Sequence, residues 1–220
     1  MNLAHNSETI NNNYLFLDFE ANKAGEMYMA GFSTKGRTFQ VVLNEKLQAA
    51  ATHQGIDATS PENFVSEILE YIENNNLIIA AYSEAELNYC RDILGNKHSG
   101  YQFSYLNLAK AAKTWINEFH KDSFISQGDY LPTLHKKNRI RRRQLNNSLA
   151  SRMRLTPFTP HCGYAPGKTT TRFNHVIAGL NCRKEFTNLT PTQKGKWTKA
   201  LKHNRFDVEA LPVLLSHILK

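Results

Sequence analysis

Two acids stand one residue apart in an otherwise apolar run, "YLFLDFEAN" at 14–22. The run is short, aromatic-rich and preceded by an Asn-rich turn, which predicts a strand buried on both faces. Side chains alternate along a strand, so Asp18 and Glu20 share a face, about 6.5–7 Å apart, at or just past its C-terminal end. Burying two like charges together is costly unless a cation lies between them, either a metal ion or a basic side chain. A second pair sits near the other end of the chain, in "HNRFDVEAL". His203 and Asp207 are four residues apart, which on a helix is one turn on one face.

The charge is unevenly spread. Residues 1–94 hold 5 Lys+Arg against 13 Asp+Glu, whereas residues 95–220 hold 22 against 6. From Tyr130 to Lys184 there are 12 basic residues and no acid, densest in "HKKNRIRRRQ" at 135–144. Apolar and aromatic residues follow this run mid-chain, which favours a cationic surface for a phosphate backbone over a solvated tail. The expected contacts are Lys136, Lys137, Arg139, Arg141, Arg142 and Arg143, joined by Lys168 and Arg172. "GYAPGKTTT" is not a P-loop, because only three residues separate Gly163 from Gly167 and no strand precedes it.

At 220 residues the chain fits one domain, 1–220, with a basic, loop-rich insertion at 130–184. No apolar run approaches membrane-spanning length, and the polar N-terminus lacks a signal-peptide core. Three cysteines without a C-x-x-C pair fit free thiols in a reducing compartment, so a cytoplasmic protein is expected.

The elements that must position these residues follow in order. "EMYMAGFSTKGRTFQVVLN" predicts a hairpin turning at Gly36. Ser60 and Pro61 open a helix over "PENFVSEILEYIENNN". Next come a buried strand at 77–83, a helix "EAELNYCRDIL" ending at Gly95, a strand at 101–108 and the helix "AKAAKTWINEFHK". A helix is expected at 147–155, followed by an irregular loop, "TPFTPHCGYAPGKTTTRF". Thr190 with Gln193 predicts a capping box, and Pro212 predicts a kink or a late start in the last helix. The order implies an α/β domain built on a mixed sheet.

"FLDFEA", then a buried strand leading to "AYSEAEL", then a C-terminal helix carrying "HNRFDVEAL", resembles the ribonuclease H-like DEDD exonuclease superfamily. The resemblance covers most of the chain and implies a mixed five-stranded sheet flanked by helices, with the basic insertion before the C-terminal helix. It implies that Asp18 and Glu20 are the D-x-E pair of the first strand and that Asp207 is the last-helix acid. His203 would be the general base; its four-residue spacing to Asp207 is that of the tyrosine subfamily and of the "Y-N-x-x-D-V" pattern, with His in the Tyr position. For the second motif, "Y-x-x-x-E" fits Tyr82 with Glu86, while Glu84 suits a first-turn acid favoured by the helix dipole.

Such an enzyme hydrolyses phosphodiester bonds with two hard divalent ions, and carboxylates from separated elements suit Mg²⁺ or Mn²⁺. The expected metal ligands are Asp18, Glu20, Glu86 and Asp207. The resemblance therefore implies a 3′–5′ exonuclease on DNA or RNA. A structure-specific endonuclease on the same scaffold and a nucleic-acid-binding module with a degenerate site are the alternatives.

Overall fold

A computed structural model describes Ile10 and residues 12–123, 148–158 and 168–220. The dense basic run, with Lys136, Lys137, Arg139, Arg141, Arg142 and Arg143, lies outside the described residues, as does Cys162. Cys90 and Cys182 are free thiols, the first buried and the second exposed.

The chain forms β1 (Tyr14–Ala21), β2 (Met27–Thr34), β3 (Arg37–Val42), α1 (Gln48–Gln54), β4 (Asp57–Ala58), α2 (Pro61–Asn74), β5 (Ile78–Ala81) and α3 (Ala85–Leu94). It continues through β6 (Ser104–Asn107), α4 (Leu108–Trp115), α5 (Leu149–Met153), α6 (Thr169–Arg183) and α7 (Pro191–Ile218). The strands make one mixed sheet in the order β4-β3-β2-β1-β5-β6. The β1–β2 and β2–β3 pairs are antiparallel, and the other three are parallel. The fold is thus α/β, with six strands rather than the expected five. The extra strand is the two-residue β4, which pairs with Val41 and Val42 and is too short to show a period.

Alternation along β1 separates two cores. Leu15, Leu17 and Phe19 pack with Phe64, Ile68, Leu69 and Ile72 of α2 and with Leu94 of α3. Phe16, on the opposite face, packs with Leu108, Ala112 and Trp115 of the α4 helix and with Phe206, Ala210 and Leu211 of α7. A third cluster joins Tyr28 and Met29 of β2 to Phe173 and Val176 of α6 and Trp197 of α7. Asp18 and Glu20 keep step with Phe16 and therefore face α7.

Local signals place most elements. Lys35 and Gly36 both have positive φ, as a two-residue hairpin turn requires. Ser60 Oγ accepts the Asn63 N–H at 3.2 Å with Pro61 in the first turn. Thr190 and Gln193 form a reciprocal capping box.

Two expectations fail. Thr169–Arg183 is a helix, not the end of an irregular loop, and buries Phe173, Val176 and Leu180. Its stability comes from this apolar face, which outweighs a threonine-rich first turn. Pro212 lies inside α7, so the late start expected for the last helix does not occur. Leu211, Leu214 and Leu215 are buried around it, and burying leucines at about 1.5–3 kcal/mol each offsets a cost of about 3 kcal/mol for an interior proline.

Candidate active site

The parallel strands β1 and β5 are in register from Tyr14 and Ile78 to Leu17 and Ala81. Asp18 follows the last paired position and Glu20 lies two residues further on. Both therefore stand at the C-terminal edge of the parallel strands, where α/β sheets place their ligands. The ladder with β2 becomes irregular between Glu20 and Ala21, ending regular pairing beside the acids.

α7 supplies the facing residues. His203 Nε2 lies 3.2 Å from Asp207 Oδ2 and 4.0 Å from Glu20 Oε1. Glu20, His203 and Asp207 each place one ligand-capable atom within 4.8 Å of the others. Their side chains are only 13%, 6% and 13% exposed, so they are largely buried rather than set on the surface. This spacing lets two carboxylates and an imidazole share one cation. Glu20 Oε1 is buried and accepts no hydrogen bond among the described residues.

Asp18 is held from the helix by a residue that the sequence reading did not single out. Asn204, fully buried, donates from Nδ2 to Asp18 Oδ2 at 3.0 Å. Asn204 Oδ1 accepts from Gln40 Nε2 at 3.0 Å, and the same Gln40 amide also donates to the Leu201 carbonyl at 2.9 Å. Asp18, Gly31 and Gln40 are cross-strand neighbours on β1, β2 and β3. A Cβ at Gly31 would stand 2.4 Å from Asn204 Oδ1, so only glycine lets the amide lie across the sheet between its two partners.

Glu86 and Glu84, two residues apart near the start of α3, go opposite ways. Glu86 is buried, accepts from Ser83 Oγ at 3.0 Å and feels the charge of Asp18. Glu84 is exposed and paired with Lys110. Tyr82, the first residue of the "Y-x-x-x-E" pattern, lies under the Arg152 guanidinium, 5.4 Å from its ring centre. All five residues expected at the site, Asp18, Glu20, Glu86, His203 and Asp207, are thus drawn to one region of the fold.

The cluster is electrostatically strained. Burial raises the Asp18 carboxyl to about 6, opposed by the Asn204 hydrogen bond. Burial, then Asp18 and Asp207, push Glu20 well above the ordinary carboxylate range, opposed by hydrogen bonding to Thr169 and by the Arg172 charge. Burial and then Asp18 raise Glu86 to about 7.

α6 places Thr169 and Arg172 against Glu20. Arg172 is 5% exposed and donates from Nη1 to the Lys199 carbonyl at 3.3 Å. This corrects its expected role on the nucleic-acid surface: it is a buried countercharge to Glu20. Lys168, at the N-terminus of α6, is exposed. Compared with protein-family models, curated proteins and solved structures, the chain matches none. Among the described residues, no helix is long and apolar enough to cross a membrane.

Proposed function

We propose that the chain is a divalent-metal-dependent nuclease of ribonuclease H-like architecture, hydrolysing phosphodiester bonds of DNA or RNA from the 3′ end. One observation carries the reading. Four carboxylates from three separated elements converge with a histidine, and the Arg172 charge opposes their effect on Glu20 without cancelling it. Such a cluster is unfavourable in an empty protein and favourable around hard cations. The sheet supports the same assignment: Glu86 lies in the first turn of α3, directly after the buried strand β5, in the order of motifs that carries the resemblance.

The donor set fits Mg²⁺ or Mn²⁺, being mainly carboxylate oxygen, with the buried Glu20 Oε1 not engaged in a hydrogen bond among the described residues. Asp18, Glu20, Glu86 and Asp207 would hold the ions. When bound, a pair of such ions supplies Lewis-acid stabilisation of the charge that develops at phosphorus. The chain's own residues do the rest. His203 Nε2, turned into the cluster, takes the proton of the attacking water, and Asp207 Oδ2, 3.2 Å from the same nitrogen, stabilises the imidazolium that forms. The Asn204–Gln40 relay fixes one oxygen of Asp18 and leaves the other for a ligand. The burial of these side chains limits water around the reacting phosphate.

The test is incubation of the purified protein with end-labelled single-stranded and duplex DNA and RNA, in Mn²⁺ or in EDTA. A metal-dependent ladder shortening from the 3′ end is expected, and Glu20→Gln abolishes it. Internal cuts would assign an endonuclease instead, and binding without cutting would make the chain a binding module.

A further inference from the structure

The sequence placed the nucleic-acid contacts in the arginine-rich run and at Lys168 and Arg172. The structure shows a second cationic surface, leading directly to the acid cluster. From Pro191 to Phe206, α7 carries five Lys and Arg residues and no acid. Their positions on the helix differ in consequence. Arg205 pairs with Glu209, and Lys194 donates to the Thr187 carbonyl at 2.7 Å. Lys196 and Lys199 have no ion pair among the described residues.

These two lysines lie four and seven residues before His203. On an α-helix both fall on or beside the stripe that carries His203 and Asp207, about 6 and 10 Å along the axis. Lys199 is exposed and Lys196 half-buried. α6 runs antiparallel alongside. A Cβ at Gly179 would meet the Gln193 side chain, and Arg172 reaches the Lys199 carbonyl. Lys168, one turn before Arg172, is therefore level with His203, next to Thr169 and its contact with Glu20. Three cations, Lys168, Lys196 and Lys199, thus line one side of the α6–α7 seam and end at the cluster.

We propose that this seam is the track of a single-stranded nucleic acid, whose phosphates contact Lys199 and Lys196 on α7 and Lys168 on α6 as the strand leaves the acid cluster. The preference for a single strand follows from burial. Glu20, His203 and Asp207 are at most 13% exposed, so a phosphate reaches them on a flexible chain rather than on the convex backbone of a duplex. The polymer's identity rests on the nuclease reading; the track itself is tested without cleavage.

The experiment is fluorescence anisotropy with a labelled oligo-dT and an oligo-U strand, in EDTA, across a salt series. Lys196→Gln/Lys199→Gln keeps the side-chain stems and removes both charges. The slope of log affinity against log salt should become shallower by up to about 1.4, at about 0.7 per lost contact on a single strand. Lys46→Ala, whose ammonium pairs with Glu26 on another face, should leave the slope unchanged. An unchanged slope in the double variant overturns the track, as does tighter binding to a duplex of the same sequence. If the double variant loses slope but wild type never cleaves, the track stands and the nuclease reading fails. If wild type cleaves with Mn²⁺ and the double variant binds like wild type, the nuclease reading stands and the track fails.

Discussion

Replacing Asp18 with Asn should stabilise the metal-free protein, and only at pH values where Asp18 would be ionised. The folded carboxyl titrates at about 6 against an ordinary value of 3.8, with burial as the main cause. At 1.36 kcal/mol per pH unit, the ionised form costs the fold up to about 3 kcal/mol. Because the folded value is the higher one, the carboxyl costs nothing below pH 3.8, and its full cost is reached as pH rises through about 6. Asparagine removes the charge while its Oδ1 still accepts from Asn204, so the relay to Gln40 survives. In a chain of this size 1 kcal/mol corresponds to about 2–4 °C, giving an expected rise in Tm of about 6–12 °C at pH 8 in EDTA. At pH 4 the two proteins should melt within about 2 °C of each other. Mn²⁺ should then raise the Tm of wild type and not of Asp18→Asn, through linkage of binding to folding. An Asn variant no more stable than wild type at pH 8, or equally stabilised at pH 4, would refute the account of the cluster as strained by its own charge.

Four other substitutions bear on the site. Glu86→Gln should remove most nuclease activity in an end-labelled assay, whereas Glu84→Gln, which breaks only a surface pair with Lys110, should remove little; the reverse order would shift the second acid to Glu84. Gly31→Ala should lower stability by about 1–3 kcal/mol in urea melts, since its Cβ would meet Asn204 Oδ1 at 2.4 Å and Val208 Cγ2 at 2.6 Å, and an unchanged midpoint would mean that α7 yields at no cost. His203→Ala should slow single-turnover cleavage by about 10²–10⁴ and flatten its rise with pH, with strand affinity in EDTA unchanged; wild-type rates would leave Asp207 alone as the active residue of α7.

The strands and most helices were legible because each carries its own evidence. β1, β2 and β5 are apolar enough to read as buried, and α2 and α7 announce their starts with Ser60–Pro61 and Thr190–Gln193. The misreadings arose where a local signal opposed a tertiary one. Three threonines after a Pro/Gly-rich stretch read as loop, yet Phe173, Val176 and Leu180 recur at helical spacing and their burial against Trp197 and β2 decides the outcome. Weighing that stripe would have recovered α6 and placed Arg172 correctly. Arg172 precedes Val176 by four residues, so it lies on the inward face of the helix rather than in the solvated charge run around it.

Asp18 with Glu20, and Asp207 with His203, were legible for a simple geometric reason, their closeness in sequence, whereas Glu86 came only from the resemblance. Two residues on a strand and four on a helix fix a shared face without knowledge of the fold. The groups that hold them obey no such rule. Gln40 and Asn204 are 164 residues apart and meet only because β3, β2 and β1 lie side by side beneath α7. Asn204 adjoins His203 in sequence but points about 100° away around the helix, toward the sheet instead of along the His203–Asp207 stripe. That divergence lets one helical turn do two things. His203 and Asp207 face Glu20, and Asn204 reaches under them to Asp18. Gly31 makes the reach possible, since any side chain there would lift α7 off β2 and separate Asn204 from both partners. A glycine in mid-strand therefore belongs to the site as firmly as the acids, although no residue within three of it in the sequence carries charge.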